Sequence, residues 1–297
     1  MSDVTTPQTE FIASRCICCG SNRLQRSPAV LMPFVAKRVF GHEPVEITEQ
    51  WGLRDLNKGM AYTLCNSVQC QDCGVLFLDY RFTDEQMSAL YRGYRDEEYT
   101  RQRNQYEPGY AQLAAHYQGR EAYLADVETW LSRHVPAQPA VLDWGGGSGL
   151  NTPFLNRHHL VHVHDISAVG LVPGAMRVGP DDIAGKTYDL VVCSQVLEHV
   201  SFPQALIQEL LPALGPHTLL YLEVPHEALM REYPGELGLA SKKRHWHEHI
   251  NFFTQRGLHS LLSRAGLILL DSHCLPIDLG WRSGEVMGVL AKRAGNA

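Results

Sequence analysis

Two cysteine pairs, Cys16-Ile-Cys18-Cys19-Gly20 and Cys70-Gln-Asp-Cys73-Gly74, constrain this chain more than any other feature. A two-residue gap lets both thiolates of a pair face one ion, and the glycine that follows permits the tight turn this requires. Two such pairs make a closed tetrahedral site, so Cys16, Cys19, Cys70 and Cys73 are the candidate ligands of a structural Zn2+. The interval of about fifty residues exceeds the ~15–20 of a compact zinc ribbon, so the chain between is expected to fold as an inserted hairpin or loop. Neither pair sits in a βαβ context, which argues against a redox role. Four buried free thiols are the plainer alternative, and Cys18 and Cys65 read as bystanders. The polar stretch Met1 to Glu10 has no basic segment followed by an apolar one. No secretory signal is therefore expected, a disulfide framework is disfavoured, and the expected location is cytoplasmic.

Charge and length bound the rest. Lys and Arg number 26 against 32 Asp and Glu, a net charge of −6, which argues against a chain that grips nucleic acid by bulk charge. No apolar run approaches ~18 residues, so no membrane span is expected. A length of 297 residues suggests two domains. After the second cysteine pair, Val75 to Leu78 reads as a strand end, and Thr83 with Gln86 forms a capping box. Met87, Leu90, Tyr91 and Tyr94 follow at helical spacing. The charged, tyrosine-rich stretch from Arg95 to Glu107 reads as a connector or mobile cover. A second helical pattern runs through Tyr110, Leu113, Ala114, Tyr117, Tyr123, Leu124, Val127 and Leu131. Beyond Pro139, short apolar strands alternate with helices, the signature of βαβ units and a parallel sheet. The expected division is a zinc-binding module over 1–80, a helical connector over 81–135 and a core over 136–297.

Ala140-Val-Leu-Asp143-Trp144-Gly145-Gly-Gly147-Ser-Gly149 is a strand running into a glycine-rich turn, with a helix expected from Asn151 to Arg157. Glycines allow positive φ and close backbone approach to a ligand, and a helix start offers free N–H groups. A dinucleotide fingerprint would need glycine at 150, where Leu150 stands. Asp143 suits a ligand with a cationic amino-acid end, and Asp165, ending the strand Leu160 to His164, is placed to accept ribose hydroxyls. Asp181-Asp182 precedes a further strand, Tyr188 to Cys193.

Together with Asp165-Ile166-Ser and Val196-Leu-Glu198-His199-Val200, these motifs resemble those of the class I S-adenosylmethionine-dependent methyltransferases. The resemblance implies a Rossmann-like α/β fold: a seven-stranded sheet, helices on both faces and an antiparallel last strand. It also implies that Asp143, Trp144, Gly145, Gly147 and Gly149 hold the methionine portion of S-adenosylmethionine. Asp165 would take the ribose with Ile166 beside it, and Asp182 and Gln195 would border the adenine. Trp144 stands where the family usually has a small apolar residue.

The acceptor side is read from His226, just past the strand Leu219 to Glu223, and from His245-Trp-His247-Glu248-His249-Ile-Asn251-Phe-Phe. Histidines at every second residue line one side of an extended segment, and a cluster that titrates near neutral pH suits acid–base chemistry. Metal binding and plain surface or capping roles are the alternatives; the spacing is not the HExxH of metalloproteases. A CxxCG…CxxCG module, a methyltransferase core and this late His-Glu-His resemble a short version of the zinc-binding sugar C-methyltransferases. That resemblance implies His249 as the base with Glu248 beside it, and Trp246 in place of a tyrosine; His226 is expected as a secondary polar contact. The expected acceptor is a sugar, nucleotide sugar, glycan or similar small polar metabolite, with nucleic acid an unlikely partner. A competing reading is a macromolecule modifier docked through Arg15, Arg23, Arg26, Lys37, Arg38 and Arg54, against which Glu43, Glu46, Glu49 and Asp55 weigh. A third reading is a non-catalytic binding protein.

Overall fold

A computed structural model describes residues 11–294 apart from residue 49, 51–58, 113–118, 158, 168, 184 and 279–282. Leu113, Ala114, Tyr117, His158, Glu49, Arg54 and Asp55 lie outside the described residues. The N-terminal part runs β1 (Leu24–Leu31), α1 (Pro33–Phe40), β2 (Val45–Ile47), β3 (Gly59–Ala61), β4 (Leu64–Cys70), β5 (Leu76–Leu78), α2 (Asp84–Tyr91) and α3 (Glu97–Tyr106). The chain continues with α4 (Leu124–Leu131), β6 (Ala140–Trp144), β7 (Leu160–His164), β8 (Met176–Arg177), α5 (Pro180–Ile183), β9 (Leu190–Ser194), α6 (Pro203–Leu210) and β10 (Leu219–Pro225). It ends with α7 (Ala228–Glu232), α8 (Leu239–Lys242), β11 (His245–Trp246), β12 (Asn251–Phe252), α9 (Gln255–Arg264), β13 (Leu267–Asp278) and β14 (Ser283–Arg293).

Seven strands form one sheet in the order β13-β14-β10-β9-β6-β7-β8. Strands β6 to β10 within it are parallel, and β14 lies antiparallel between β10 and β13. The mixed α/β sheet with an antiparallel last strand is the architecture expected. Its central strands are apolar on both faces, as parallel strands covered on both sides must be. Alternation along each strand sends Leu142, Val191 and Cys193 to one face with α6 and α9, and Val141, Leu190 and Val192 to the other with α4. The strand order reverses between β6 and β9, and the crevice at their carboxyl ends is where open α/β sheets bind ligands.

The N-terminal sheet has the order β11-β1-β4-β5-β12. Strands β1, β4 and β5 form an antiparallel meander, with α1 and the β2–β3 ribbon in the interval between the cysteine pairs. Its outer strands come from the far side of the core: Val30 pairs with His245 in parallel, and Phe77 with Asn251 antiparallel. The histidine-rich segment thus completes the sheet of the cysteine module. Trp246 is buried there, its indole N–H donating to Ser67 Oγ at 2.8 Å, so it faces the N-terminal core.

Two stretches differ from expectation. Residues 150–157 form turns instead of a helix. Arg120 Nη1 donates to the carbonyls of Leu150 (2.5 Å) and Thr152 (3.0 Å), Phe154 N–H donates to Glu128 Oε1 (2.8 Å), and Phe154 takes φ +63°. The bond a helix needs from Phe154 N–H to the Leu150 carbonyl is therefore replaced at both ends. The stretch from Arg95 to Glu107 contains the well-formed helix α3, capped by Asp96, whose Oδ1 accepts Tyr99 N–H at 2.7 Å. The capping box at Thr83 and Gln86 forms as read.

Asn251 joins the two sheets. Its side chain is buried, accepts from Arg81 Nη1 at 2.8 Å and donates to the carbonyls of Leu197 (2.8 Å) and Val200 (2.7 Å). Buried bonds of this kind, one to a charged donor, leave costly orphans when one partner is removed. Asn251→Ala is expected to destabilise the chain by about 2–4 kcal/mol in chemical denaturation.

Candidate active site and cysteine cluster

The glycine turn after β6 has the shape of a cradle. Gly145, Gly147 and Gly149 all have positive φ, at 82°, 58° and 79°. A Cβ on Gly145 would meet Val196 Cγ2 at 2.5 Å, whereas one on Gly147 would meet nothing within 4 Å, which marks the open face. Asp165 is tied to this turn: Oδ2 accepts Gly147 N–H at 2.8 Å and Oδ1 accepts Ser167 N–H at 2.7 Å. Asp143 lies buried beneath, bonded by Thr152 Oγ1 at 2.5 Å; burial pushes its carboxyl up to about 6, against the pull of Thr152. Ile166 is 83% exposed beside Asp165, an apolar side chain presented to whatever the crevice holds. Trp144 packs against His164 with ring centres 4.2 Å apart. Asp182 accepts Gly179 N–H at 3.0 Å. Gln195 takes φ +56° and donates to Glu223 Oε1 at 3.1 Å.

Glu223, at the carboxyl end of β10, is a buried hub missed in the sequence. It also accepts from Tyr123 (2.8 Å), Ser194 (2.7 Å) and Tyr221 (2.6 Å). A carboxylate with this many donors is fully solvated by protein, and it fixes the rim on which Gln195 sits.

The histidine cluster lies in the seam between the two sheets. His249 Nδ1 is 2.7 Å from Glu227 Oε1, and its ring stands edge-on to that of His199, centres 4.7 Å apart. His199 Nδ1 is 2.7 Å from the Tyr91 hydroxyl and 3.2 Å from the Glu248 carbonyl. Burial disfavours charge on His249, but Glu227, with Glu198 and Glu248 behind it, outweighs that and holds the imidazolium up to about 9. Burial, helped by the charge on His249, drives His199 down to about 3, so it is neutral.

Glu248 does not hold His249. Its carboxylate pairs with Arg103 at 2.6 Å, while Arg103 also holds Glu107 at 2.8 Å. Burial would raise Glu248, but Arg103 and the neighbouring histidines bring it down to about 2. The carboxylate that orients His249 is Glu227, directly after His226. His226 itself turns to Glu285, its Nδ1 paired with Glu285 Oε1. Nothing in the spacing pointed to Glu227, Tyr91 or Arg103, because each reaches the cluster from a different element.

The four cysteines meet as their spacing requires. Cys16 and Cys73 sulfurs lie 3.4 Å apart and those of Cys19 and Cys70 3.5 Å, all four within 4.8 Å of one another. A disulfide needs ~2.05 Å. Four thiolates ~2.3 Å from one ion stand roughly 3.8 Å apart, so the set fits a tetrahedral metal. Backbone N–H groups of Cys18 and Cys73 point at the sulfurs of Cys16 and Cys70, both at 3.5 Å. Helix α9 is fixed to both knuckles: its cap Thr254 donates to the Cys73 carbonyl at 2.6 Å, and Arg264 to the Cys18 carbonyl at 2.8 Å. Several basic residues of this module pair within the chain while staying at the surface. Arg23 pairs with Asp72, Lys37 with Glu43, and Arg38 with the end of α2.

Gly145→Ala tests the cradle. The added methyl meets Val196 in a backbone conformation that disfavours side chains, so S-adenosylhomocysteine affinity measured by calorimetry should fall at least tenfold.

Residues 113–272 match the family model described as a methyltransferase domain. Solved structures of similar fold include the 1,6-didemethyltoxoflavin N1-methyltransferase of Burkholderia thailandensis, with bound 1,6-didemethyltoxoflavin and S-adenosylhomocysteine. It is 17% identical over 59% of this chain and 79% of its own, with a TM-score of 0.45. Another is the magnesium protoporphyrin IX methyltransferase of Synechocystis PCC 6803, 20% identical over 62% of this chain and 87% of its own, TM-score 0.39. No curated protein matches the sequence. No helix among the described residues is long and apolar enough to cross a membrane. With its family model spanning more than half of the sequence, this chain belongs to the methyltransferase domain family and is an S-adenosylmethionine-dependent methyltransferase.

Proposed function

We propose that the enzyme methylates a small polar acceptor of sugar-like chemistry, with His249 as the base that takes the acceptor's proton. The observation that carries this reading is the His249–Glu227 pair, 2.7 Å apart past the carboxyl end of β10, on the same side of the sheet as the glycine cradle. Methyl transfer is an in-line displacement at a sulfonium carbon, so the protein's work is alignment and, for an O–H or activated C–H acceptor, proton removal. S-adenosylmethionine supplies the methyl group. Gly145 to Gly149 with Asp143 would hold its amino-acid end, Asp165 its ribose, and Ile166, Asp182 and Gln195 the adenine border. Glu227 fixes the ring of His249 and stabilises the imidazolium formed when the proton arrives. The acidic net charge and the internal pairing of Arg23, Lys37 and Arg38 favour a small acceptor over a nucleic acid.

A base must be neutral to act, and the imidazolium of His249 is held up to about 9, so kcat should climb with pH and level off only near that value. Glu227→Gln removes the main support of the charge and should shift this rise to lower pH while lowering the plateau roughly 10–100-fold. His249→Asn should leave S-adenosylhomocysteine binding intact and reduce turnover at least a hundredfold. Unchanged turnover in a labelled-methyl assay against nucleotide sugars and glycan fragments, or label found only in RNA, would refute the reading.

Zn2+ at Cys16, Cys19, Cys70 and Cys73 is part of the same proposal, with a structural task. The sulfur spacing and the closed set of ligands support it. Elemental analysis should find one zinc per chain, and Cys70→Ser or chelation should remove it and lower the unfolding midpoint.

A further inference from the structure

One carboxylate in the seam has no task in the chemistry above. Glu198, in the turn after β9, is 1% exposed, and neither of its side-chain oxygens has a hydrogen-bond partner. Its backbone carbonyl accepts the N–H groups of Ile250 (2.8 Å) and Asn251 (3.1 Å), so the residue is held firmly in place. His199 Nε2 stands 3.6 Å from Glu198 Oε1, beyond hydrogen-bond reach, and one ligand atom each of Glu198, His199 and His249 falls within 4.8 Å of the others. Around it His249 is engaged with Glu227 and Glu248 with Arg103, while His199 bonds Tyr91 through Nδ1 and turns Nε2 toward Glu198. Burying a carboxylate without donors is costly, and nearly all buried polar groups are paired. A site that keeps such a group against its own stability keeps it for a ligand.

We propose that Glu198 is the acceptor-binding carboxylate, its two unpaired oxygens receiving the paired hydroxyls of a vicinal diol beside the methylated atom. This rests on the proposed reaction and narrows its substrate to a polyol of the sugar kind. Neutral O–H donors suit the place better than an ammonium group. The imidazolium of His249 is already in the cluster, and a second cation beside it would be repelled. Hydroxyls on an ionised oxygen give short, strong bonds, and two of them at diol spacing engage both oxygens at once. The arrangement also selects, because an acceptor that lacks one hydroxyl leaves an oxygen buried and unpaired.

The groups facing Glu198 are His199 beside it in sequence, His249 from the histidine segment, Glu227 past β10 and Glu223 on β10. Burial raises its carboxyl to about 7, with His249 opposing and Glu227 and Glu223 adding to the rise. The folded chain therefore holds a proton there that the unfolded chain releases at its ordinary, lower value. The burden on stability is absent below about pH 4, grows as pH rises past the ordinary carboxylate value, and is complete by about pH 8.

The test uses the full chain and its Glu198→Gln variant. Thermal unfolding of the variant should occur roughly 2–4 °C higher than wild type at pH 8 and at the same temperature at about pH 4. In calorimetry with S-adenosylhomocysteine present, UDP-glucose serves as the diol probe. Its affinity should fall about tenfold in the variant, and about tenfold in wild type when one ring hydroxyl of the bound pair is removed, without the two losses adding. A lower unfolding temperature in the variant at pH 8 would make Glu198 a structural residue and overturn the proposal. So would equal UDP-glucose affinity in both proteins, or no binding to either. A second zinc per chain, lost in the variant, would make the cluster a metal site instead. Methyl label delivered only to RNA would defeat the proposed reaction, whereas these readouts decide Glu198 separately.

Discussion

The convergence of Cys16, Cys19, Cys70 and Cys73 on one point governs how the rest of the chain is arranged. Bringing the two knuckles together closes a loop of about fifty residues, whose interior becomes the antiparallel pair β1 and β4 with α1 between them. The same knuckles receive both ends of α9, through Thr254 and Arg264. Because α9 also packs on the seven-stranded sheet, the cysteine module and the core share one continuous hydrophobic interior, in which Cys18 and Cys73 lie with Leu142, Val191 and Leu258. The end that carries the cysteine cluster is thus a wall of the methyltransferase core.

That wall explains where the histidine cluster sits. The segment carrying His247, Glu248 and His249 is held at both ends by pairing into the N-terminal sheet, at Trp246 and at Asn251. Helix α3 reaches across through Arg103, which lies over the Tyr110 ring at 4.1 Å and pairs with Glu248. The seam is consequently lined from three directions, with Tyr91 from α2, His199 from the end of β9 and Glu227 from the end of β10. Glu227 sets the charge on His249 and Arg103 that on Glu248, while burial keeps His199 neutral, which is how one small space holds a charged and a neutral imidazole side by side.

Much of this was legible in the residues. Short apolar strands alternating with helical stretches gave the parallel sheet, and the strand–glycine–acid pattern gave the cradle, because local chemistry dictates both. The cysteine knuckles announced their own meeting. Less legible was anything decided by distant contacts. Residues 151–157 follow a strand and a glycine turn, where a helix is expected, yet Arg120 and Glu128 capture the backbone groups that a helix would use. Glu248 stands next to His249 in sequence, but alternation on an extended segment turns neighbouring side chains to opposite sides, and Glu227 takes the place beside the ring. Trp246 stands where the resemblance implies a tyrosine, and its indole is committed to Ser67 in the N-terminal core. The pairing of β11 and β12 with β1 and β5 has no local signature, since two-residue strands carry no periodicity.

The edges of the N-terminal sheet bear on how the molecule forms. Strands β1, β4 and β5 emerge early from the ribosome, but the strands that cover their outer edges, β11 and β12, are made more than two hundred and about one hundred and seventy residues later. Until then the meander presents two open edges with unpaired backbone groups, the condition under which strands recruit wrong partners. Early metal capture by the four thiolates would hold the meander's register during that wait. The order of maturation would then run from metal to sheet to catalytic seam, with the acceptor pocket the last part to exist.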